Sequence, residues 1–498
     1  MARRSPRNRH AARIALAISG SLLLACQAPV EPPPASAPET SEPPLIILIS
    51  IDTLRADHLG SYGYSRDTSP VLDRLAEESI RFSSAFAPTP WTFPSHASML
   101  TGMHPYEIGI DNSLRTIPDD IPIVAEHLKR AGYQTAAFVD SSPMGFVGAD
   151  RGFERGFDLY QHGPHRADQL QRFDMATTVD AAIDWLDGRD PERPFFLFLH
   201  TKSVHAVPND AECLDPRCFP YEKPAAWQFR YLSSEQATAS WTTPQDGAGQ
   251  RYLWSLNAKI LAGELDPETY PEDHLEQLVA FYDAGINYVD AHFERLLEAL
   301  RARDLYRRTV LVVTSDHGEA FLDHTLFMHQ EVFDPVVQVP LILRLPQSSG
   351  SGVEDRHVML SDIAPTLLQQ ARLPVPEQMT GRSLLMPEPE LGTRGARDIF
   401  SYYFFPSKFT YQPVALRRGN WKLVAHNPDN PEDFSWLLFD LATDPEEQRP
   451  VASEMQRLAE LKRSLRMVLR RPPLSQGAEI HPQDLPDLEA IRALGYIE

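Results

Sequence analysis

The chain has 498 residues, enough for one large domain with an appendage or for two domains. Hydrophobic residues make up 42% and charged residues 23%, ordinary proportions for a globular protein. The formal net charge is −21, and residues 1–25 hold five arginines and no acid, so the remainder carries about −26. This charge argues against nucleic acid as a partner, and any polyanionic substrate would need a local basic pocket.

The first 26 residues have the pattern of an export signal. An arginine-rich start leads into the apolar run IALAISGSLLLA and then to Cys26. The tetrapeptide LLAC resembles the bacterial lipobox, whose cysteine is diacylated and becomes the mature N-terminus. A plain signal peptide or a short membrane anchor are the alternatives, but the run is short for a membrane span. Gln27 is not Asp, which points to the outer membrane. Residues 27–44 are rich in proline and predict a tether without a core.

The first predicted strand is the apolar run LIILISID, which begins at Leu45 and ends at Asp52. Such a run is typical of a strand buried on both faces of a parallel sheet. Open α/β sheets bind their ligands at the carboxyl ends of the strands. Asp52 is therefore a candidate ligand-binding residue.

The stretch WTFPSHASMLTG, residues 91–102, predicts a helix with Thr92 just before its N-terminus. Pro94 suits the first turn and Gly102 suits a stop. The free N–H groups and the helix dipole favour an oxyanion at that position. A hydroxyl there, beside a divalent metal ion, can attack a sulfate or phosphate ester. Taken alone, the pattern favours an ordinary N-cap with a buried helix behind it.

Two further pairs of helix and strand follow. The segment IPIVAEHLKRAGYQTAAF predicts a helix, a stop at Gly132 and a strand. A helix over about residues 176–186 leads to the strand FFLFLH, which is followed by His205. A lone histidine after a strand is usually structural.

Residues 206–270 are irregular and predict a lid beside a site rather than a linker. They contain Cys213 and Cys218, which we expect to form a small disulfide loop if the protein is exported. Two free thiols are the alternative.

The second half of the chain supplies another strand that ends in polar residues. EQLVAFYDAGINYVDAHFERLLEALRARDLY predicts one long amphipathic helix or two, and the buried strand TVLVVT leads into SDHGE. Asp316 and His317 of SDHGE end a strand as Asp52 does, so we expect all three at one edge of the sheet. The alternation of buried strands and amphipathic helices predicts an α/β fold.

Together these motifs resemble the sulfatase family of the alkaline phosphatase superfamily. LIILISID and SDHGE are similar to its two metal motifs, and WTFPSHASMLTG to its signature. ALRRGNWKLV and LFDLATDPEEQ are similar to its C-terminal part, so the resemblance covers almost everything from Leu45 onwards. It implies a large, mostly parallel sheet sandwiched by helices over residues 45–375. A smaller C-terminal α+β subdomain would follow over residues 376–498.

The signature departs from the family pattern at two positions. Thr92 stands where sulfatases carry the Cys or Ser that is oxidised to formylglycine, and His96 stands where they carry Arg. Threonine is not a known substrate of that oxidation, so we expect no formylglycine and an unmodified Thr92 nucleophile. Threonine nucleophiles occur in phosphodiesterases and phosphoryl transferases of the superfamily. His329 also stands where sulfatases often carry Lys, and His324 falls where residues face the ester.

The resemblance implies one divalent metal ion at the site. Thr201 stands where two-metal relatives carry an Asp, which favours a single ion. An imidazole ligand favours zinc or manganese, and calcium is possible. The expected metal ligands are Asp52, Thr92, Asp316 and His317. The expected catalytic residues are Thr92, His96, His205 and His329.

Three functions remain open. The first is hydrolysis of sulfate or phosphate esters. The second is phosphodiester cleavage or phosphoryl or phosphoglycerol-type transfer in the cell envelope, and the third is non-catalytic binding by a surface lipoprotein. Retention of the nucleophile and the metal ligands argues against the third. The expected partners are a sulfated or phosphorylated small molecule, glycan or lipid, and the membrane of a bacterial cell envelope through the lipid anchor.

Overall fold

The computed structural model describes residues 42–110, 115–140, 146–162, 174–206, 219–234, 236, 249–348, 350–386, 397–403, 412–426 and 435–479. The predictions for Cys26, Cys213, Cys218 and residues 27–41 of the tether lie outside the described residues. Within the described ranges, no helix has both the length and the apolar character that crossing a bilayer requires.

Strands and helices alternate along most of the chain. The strands are β1 (Leu45–Ile51), β2 (Ile80–Phe86), β3 (Gln134–Val139), β4 (Leu159–His162), β5 (Phe195–Thr201), β6 (Thr309–Thr314), β7 (Ala320–Phe321), β8 (Phe327–Met328), β9 (Gln338–Arg344), β10 (Gly352–Glu354), β11 (Val358–Met359), β12 (Asp398–Tyr402), β13 (Val414–Arg418), β14 (Trp421–His426) and β15 (Ser435–Asp440). The α-helices are α1 (Pro70–Glu77), α2 (Thr92–Thr101), α3 (Val124–Arg130), α4 (Met175–Gly188), α5 (Ala225–Gln228), α6 (Gln250–Leu261), α7 (Glu272–Ala302), α8 (Asp334–Val337), α9 (Ile363–Gln370) and α10 (Met455–Leu469).

Nine strands form the central sheet in the order β10-β2-β9-β6-β1-β5-β3-β4, and β11 pairs with β2. All of them run parallel except β9, which is antiparallel to β2 and β6. The central strands β1, β5 and β6 are buried at every position, as their unbroken apolar runs predict. The expected mostly parallel α/β sheet is confirmed.

Helices cover both faces of this sheet. Along β1, Ile46 and Leu48 face a core built with α2, α3 and α9, whereas Ile47 and Ile49 face a core built with α1, α4, α6 and α7. The alternation follows from the two-residue period of a strand. Each face therefore buries one half of the same apolar run.

The C-terminal subdomain is a four-stranded antiparallel sheet in the order β12-β13-β14-β15. Helix α10 packs on it through Leu461 and Leu465, which are fully buried. The expected smaller α+β subdomain is confirmed.

Three local predictions are sharpened by the structure. The amphipathic stretch before β6 is one helix of 31 residues, α7. The helix expected over residues 176–186 extends over Met175–Gly188. Thr92 is the first residue of α2 and not the residue before it, because Trp91 is the N-cap. Gly102 ends α2 in the left-handed conformation with φ 69°, as expected of a helix stop.

Candidate active site

The carboxyl ends of three neighbouring strands meet at one edge of the central sheet. Ser50 of β1 lies opposite His200 of β5 on one side and Thr314 of β6 on the other. Asp52 follows β1 directly, and Asp316 lies just beyond the end of β6. Parallel strands in this register bring residues far apart in the sequence to the same place.

Asp52, Asp316 and His317 form a buried group that we call the edge cluster. One ligand atom of each residue lies within 4.8 Å of the others. Nε2 of His317 lies 3.7 Å from Oδ1 of Asp52 and 3.6 Å from Oδ2 of Asp316. The meeting of these three residues, expected from their strand-end positions, is confirmed.

Two carboxylate oxygens of the edge cluster have no hydrogen-bond partner among the described residues. Oδ1 of Asp316 accepts from the backbone N–H of His317 at 3.0 Å and of Thr53 at 3.3 Å. Oδ2 of Asp316 and Oδ1 of Asp52 accept no hydrogen bond from any described residue, although both are buried. Burial raises the pKa of both carboxyl groups, and the charge of Asp316 raises the pKa of Asp52 further. Orphaned, mutually repelling carboxylates are the arrangement that a bound cation would satisfy.

The His317 ring supplies a neutral ligand. Its Nδ1 lies 3.0 Å from the carbonyl oxygen of Gly318, so we place the proton on Nδ1. The Nε2 lone pair then faces the two carboxylates. Burial lowers the pKa of His317 to about 3, which keeps the ring neutral. Two carboxylates and one imidazole suit a divalent ion such as zinc or manganese.

The hydroxyl of Thr92 faces the edge cluster. Its Oγ1 lies 3.4 Å from Nε2 of His317, and it belongs to the first turn of α2. Ser95, one turn along, donates its hydroxyl to the carbonyl oxygen of Asp316 at 2.7 Å, which ties α2 to the end of β6. Thr92 is therefore held at a helix N-terminus beside the candidate metal ligands.

His96 lies beside the edge cluster, with its Nδ1 3.6 Å from Oδ2 of Asp316. Its Nδ1 is 2.8 Å from the carbonyl oxygen of Thr92, and its Nε2 is 2.8 Å from Oγ of Ser50. The ring is fully buried, and burial lowers its pKa. Both nitrogens are thus engaged with protein groups. The ring thus joins α2 to β1 and contacts the backbone of Thr92, and the expectation that His96 is catalytic stays a prediction.

His205 and His329 face each other. Their Nε2 atoms are 3.4 Å apart, while Nδ1 of His205 lies 2.7 Å from the carbonyl oxygen of Ala206 and Nδ1 of His329 lies 3.1 Å from that of Pro90. The His329 ring also lies 4.4 Å from the His317 ring. Burial and the neighbouring His329 lower the pKa of His205 to about 3. Both rings therefore present Nε2 lone pairs near the edge cluster.

The sequence prediction missed two residues at the same edge. His200 is buried with Nε2 3.9 Å from Oδ2 of Asp52, and neither of its nitrogens has a hydrogen-bond partner among the described residues. Asp140 follows β3 and accepts from Oγ1 of Thr201 at 3.0 Å and from N of Lys202 at 2.9 Å. Burial raises the pKa of Asp140 to about 7. An acid directly after a buried strand is the signal that identified Asp52, and it applies equally to Asp140.

His324 packs against Phe333. Its ring stacks on Phe333 with centroids 3.6 Å apart, and Phe333 packs on Phe439 of β15. His324 therefore contributes to the contact with the C-terminal subdomain.

Comparisons with known proteins agree with this geometry. A family model described as Sulfatase matches residues 44–373, and a model described as N-sulphoglucosamine sulphohydrolase, C-terminal, matches residues 322–472. The chain is 26% identical to N-acetylglucosamine-6-O-sulfatase of Bacteroides thetaiotaomicron, and the match covers 83% of each chain. It is 24% identical to arylsulfatase K of Mus musculus over 94% of this chain and 86% of that protein.

Solved structures share the fold. The phosphonate monoester hydrolase of Agrobacterium radiobacter matches with a TM-score of 0.63 and 21% identity, over 86% of this chain and 95% of that one. A protein solved with its substrate D-glucosamine-2-N,6-O-disulfate matches with a TM-score of 0.62 and 22% identity, over 86% and 97%. With the family model spanning most of the chain and the edge cluster in place, the protein belongs to the sulfatase family of the alkaline phosphatase superfamily and is a sulfatase-like ester hydrolase.

Proposed function

We propose that the protein hydrolyses sulfate or phosphate esters with one divalent metal ion and with unmodified Thr92 as the nucleophile. The observation that carries the proposal is the position of the Thr92 hydroxyl. It lies at the N-terminus of α2 and 3.4 Å from Nε2 of His317, beside two carboxylates with orphaned oxygens.

Asp52, Asp316 and His317 would hold the metal ion, with the Thr92 oxygen as a further ligand. The imidazole favours zinc or manganese over calcium. When bound, such an ion supplies positive charge that offsets both carboxylates and lowers the pKa of a neighbouring hydroxyl.

Thr92 makes the first covalent step. Its Oγ1 forms a bond to the phosphorus or sulfur of the ester as the bond to the leaving oxygen breaks. The hydroxyl proton must go to a base, and the leaving oxygen must receive one. His205 and His329 present unprotonated Nε2 atoms on this side of the sheet, so we assign them the transfer of that proton.

The second step sets the substrate preference. A formylglycine hydrate can release sulfate by elimination because it carries two hydroxyl groups on one carbon. Threonine carries one, so water must cleave the covalent ester on Thr92, a route that is easier for phosphate than for sulfate. We therefore infer that phosphate esters are turned over at least as well as sulfate esters.

An alcohol can take the place of water in the second step, so the same ester on Thr92 allows transfer. A phosphodiesterase or transferase that acts on envelope lipids or glycans is accordingly the second candidate. Dependence of product formation on an alcohol acceptor separates transfer from hydrolysis.

The test is a metal analysis together with a parallel screen of sulfate monoesters, phosphate monoesters and phosphate diesters. The sulfate arm includes N-acetylglucosamine 6-sulfate, because a relative carries that activity in its name. We expect one divalent ion per chain and phosphate turnover at least equal to sulfate turnover. Robust sulfatase activity without phosphoesterase activity would overturn the substrate ranking.

Variants of α2 test the nucleophile. Thr92→Ala should abolish turnover, and Thr92→Ser should retain part of it. Thr101→Ala is the matched control, because it removes the same atoms at the far end of α2, where Oγ1 donates to the carbonyl oxygen of Ala97. Full activity of Thr92→Ala would refute the role of Thr92.

We further propose that the protein is exported and acylated on Cys26, on the strength of the arginine-rich start, the apolar run and LLAC. Cys26→Ser should release the protein from membranes or block its maturation. An acylated Cys26→Ser protein in the membrane fraction would contradict the proposal. In the exported protein we expect Cys213 and Cys218 to be bridged, which mass spectrometry of unreduced peptides decides.

A further inference from the structure

We propose that α10 and the turn after it form a docking surface for an anionic lipid bilayer. The surface, which we call the basic face, is independent of the active site. Its members are Arg463, Arg466, Met467, Arg470, Arg471 and Leu474.

The basic face is the side of α10 that points away from the protein. Leu461 and Leu465 are fully buried against the four-stranded sheet. Arg463, Met467 and Arg470 are spaced four and three residues apart, so they share the opposite side of the helix. All three are exposed. The helix is thus fixed by one face and leaves the other open to a partner.

The cations of the basic face have no anionic partner in the described part of the chain. Among the described residues, no ion pair involves any of its four guanidinium groups, and only Arg466 contacts a ring, that of Trp436, at 5.8 Å. By contrast, Arg418 of the adjacent strand is paired with Asp398 at 2.6 Å. The acid on the same helix, Glu460, accepts a hydrogen bond from Gln456 at 3.2 Å. A group of unpaired arginines in a chain of net charge −21 indicates an anionic partner.

Exposed apolar side chains lie among these arginines. Among the described residues, the three most exposed large hydrophobic side chains are Leu474 (68%), Met455 (66%) and Met467 (60%). All three belong to α10 or to the turn after it. A sulfated glycan offers nothing to a methionine or leucine side chain, whereas the acyl boundary of a bilayer accepts both. Arginines interleaved with flexible apolar residues therefore favour a lipid surface over a polyanionic polymer.

The experiment measures binding to vesicles with the full chain carrying Cys26→Ser in every arm, so that acylation plays no part. Vesicles of phosphatidylglycerol and phosphatidylcholine in roughly equal amounts are compared with phosphatidylcholine alone, since each basic residue near an anionic leaflet strengthens binding by roughly fivefold. We expect stronger binding to the anionic vesicles than to phosphatidylcholine alone, and weaker binding at high salt.

Two sets of variants separate the contributions of the arginine charges and of the apolar side chains to vesicle binding. The double variant Arg466→Glu, Arg470→Glu should lower the partition coefficient at least about tenfold. Its matched control is Arg130→Glu, Arg307→Glu, which makes the same charge change at two exposed arginines of the same unit. Met467→Gln, which keeps every charge, should lower it several-fold.

Thermal melts confirm that each variant is folded. Retention on heparin tests whether the basic face binds a sulfated polymer instead. Equal partition of the double variant and its control would overturn the proposal. Retention on heparin that is lost in the double variant, together with unchanged vesicle binding by Met467→Gln, would assign the basic face to a sulfated polymer and would also overturn it.

Discussion

Two clusters of buried charged side chains in this protein differ in whether a counterion lies beside them. In the edge cluster, Asp52 and Asp316 are buried, and no lysine or arginine of the described residues forms an ion pair with either. A second group, the interface cluster, joins α8 to the C-terminal subdomain. There Asp334 pairs with Lys422 and with Arg417 at 2.7 Å each, and Lys422 pairs with Glu447 at 2.6 Å.

The difference shows in the pKa of Asp316 and of Asp334, whereas burial and the charge of Asp334 raise the pKa of Glu447, also in the interface cluster, to about 7. At the edge, burial raises the pKa of Asp316, and His96 and the backbone N–H groups of His317 and Thr53 offset it only in part. At the interface, burial alone would raise the pKa of Asp334, but the charges of Lys422 and Arg417 outweigh it and lower that pKa. A buried charge with its partner in place stabilises a contact, and a buried charge without one is available to a ligand.

The largest expected effect is at the edge. Asp316→Ala should lose the metal ion and should lower turnover by about a thousandfold or more, because the cation no longer has its ligands. The melting temperature of the metal-free protein should change little, since the removed carboxylate repels Asp52 but also accepts hydrogen bonds from the backbone N–H groups of His317 and Thr53. Metal analysis, turnover and a melt with chelator measure the three effects. Full metal content in Asp316→Ala would remove Asp316 from the site.

The next largest effect is expected in the interface cluster, where the substitution removes a cation and not a carboxylate. Lys422→Met should lower the free energy of unfolding by about 3–5 kcal/mol, because it leaves Asp334 and Glu447 buried without their common cation. Metal content per folded molecule should be unchanged. Urea unfolding measures the loss, and Lys462→Met, on exposed α10, should stay within about 1 kcal/mol of the parent. A loss no larger than that of Lys462→Met would contradict the distinction between the two groups.

The interface cluster also predicts an acid dependence. Because the folded-state pKa of Asp334 lies below its ordinary value, its contribution to stability is present above the unfolded pKa of about 3.9 and is lost as pH falls through the folded pKa. The stability difference between the parent and Asp334→Asn should therefore be largest near neutral pH and shrink below about pH 4. Urea midpoints across pH measure it. Asp119→Asn, which makes the same change at a fully exposed carboxylate, is the matched control.

The smallest expected effect concerns the hydrogen bond between Ser50 and His96 beside the edge cluster. Ser50→Ala removes the hydrogen bond to Nε2 of His96 and should cost about 1 kcal/mol, or roughly fivefold in kcat, with KM little changed. Ser98→Ala is the matched control on α2, because the buried Ser98 hydroxyl has no hydrogen-bond partner among the described residues. Equal kcat in the two variants would mean that His96 does not position Thr92.

The strand-end acids were predictable because their signal is local. Asp52 and Asp316 each follow an unbroken apolar run, and the parallel register of β1 and β6 follows from burial on both faces. Asp140, directly after β3, carries the same signal. The contacts of His96 were not predictable from the sequence: its place in the signature is local, but the two atoms it contacts belong to different elements.

The sequence by itself determined the α/β class, the strand ends that carry the acids and the placing of Thr92 at a helix start, because each depends on a run of a few residues. Only the tertiary structure decided which side chains contact one another. His205 and His329 are 124 residues apart, yet their Nε2 atoms meet at 3.4 Å, because β5 and the segment after β8 lie near the same edge. Whether a buried charge has a counterion is likewise set by packing between distant elements, and no local pattern encodes it.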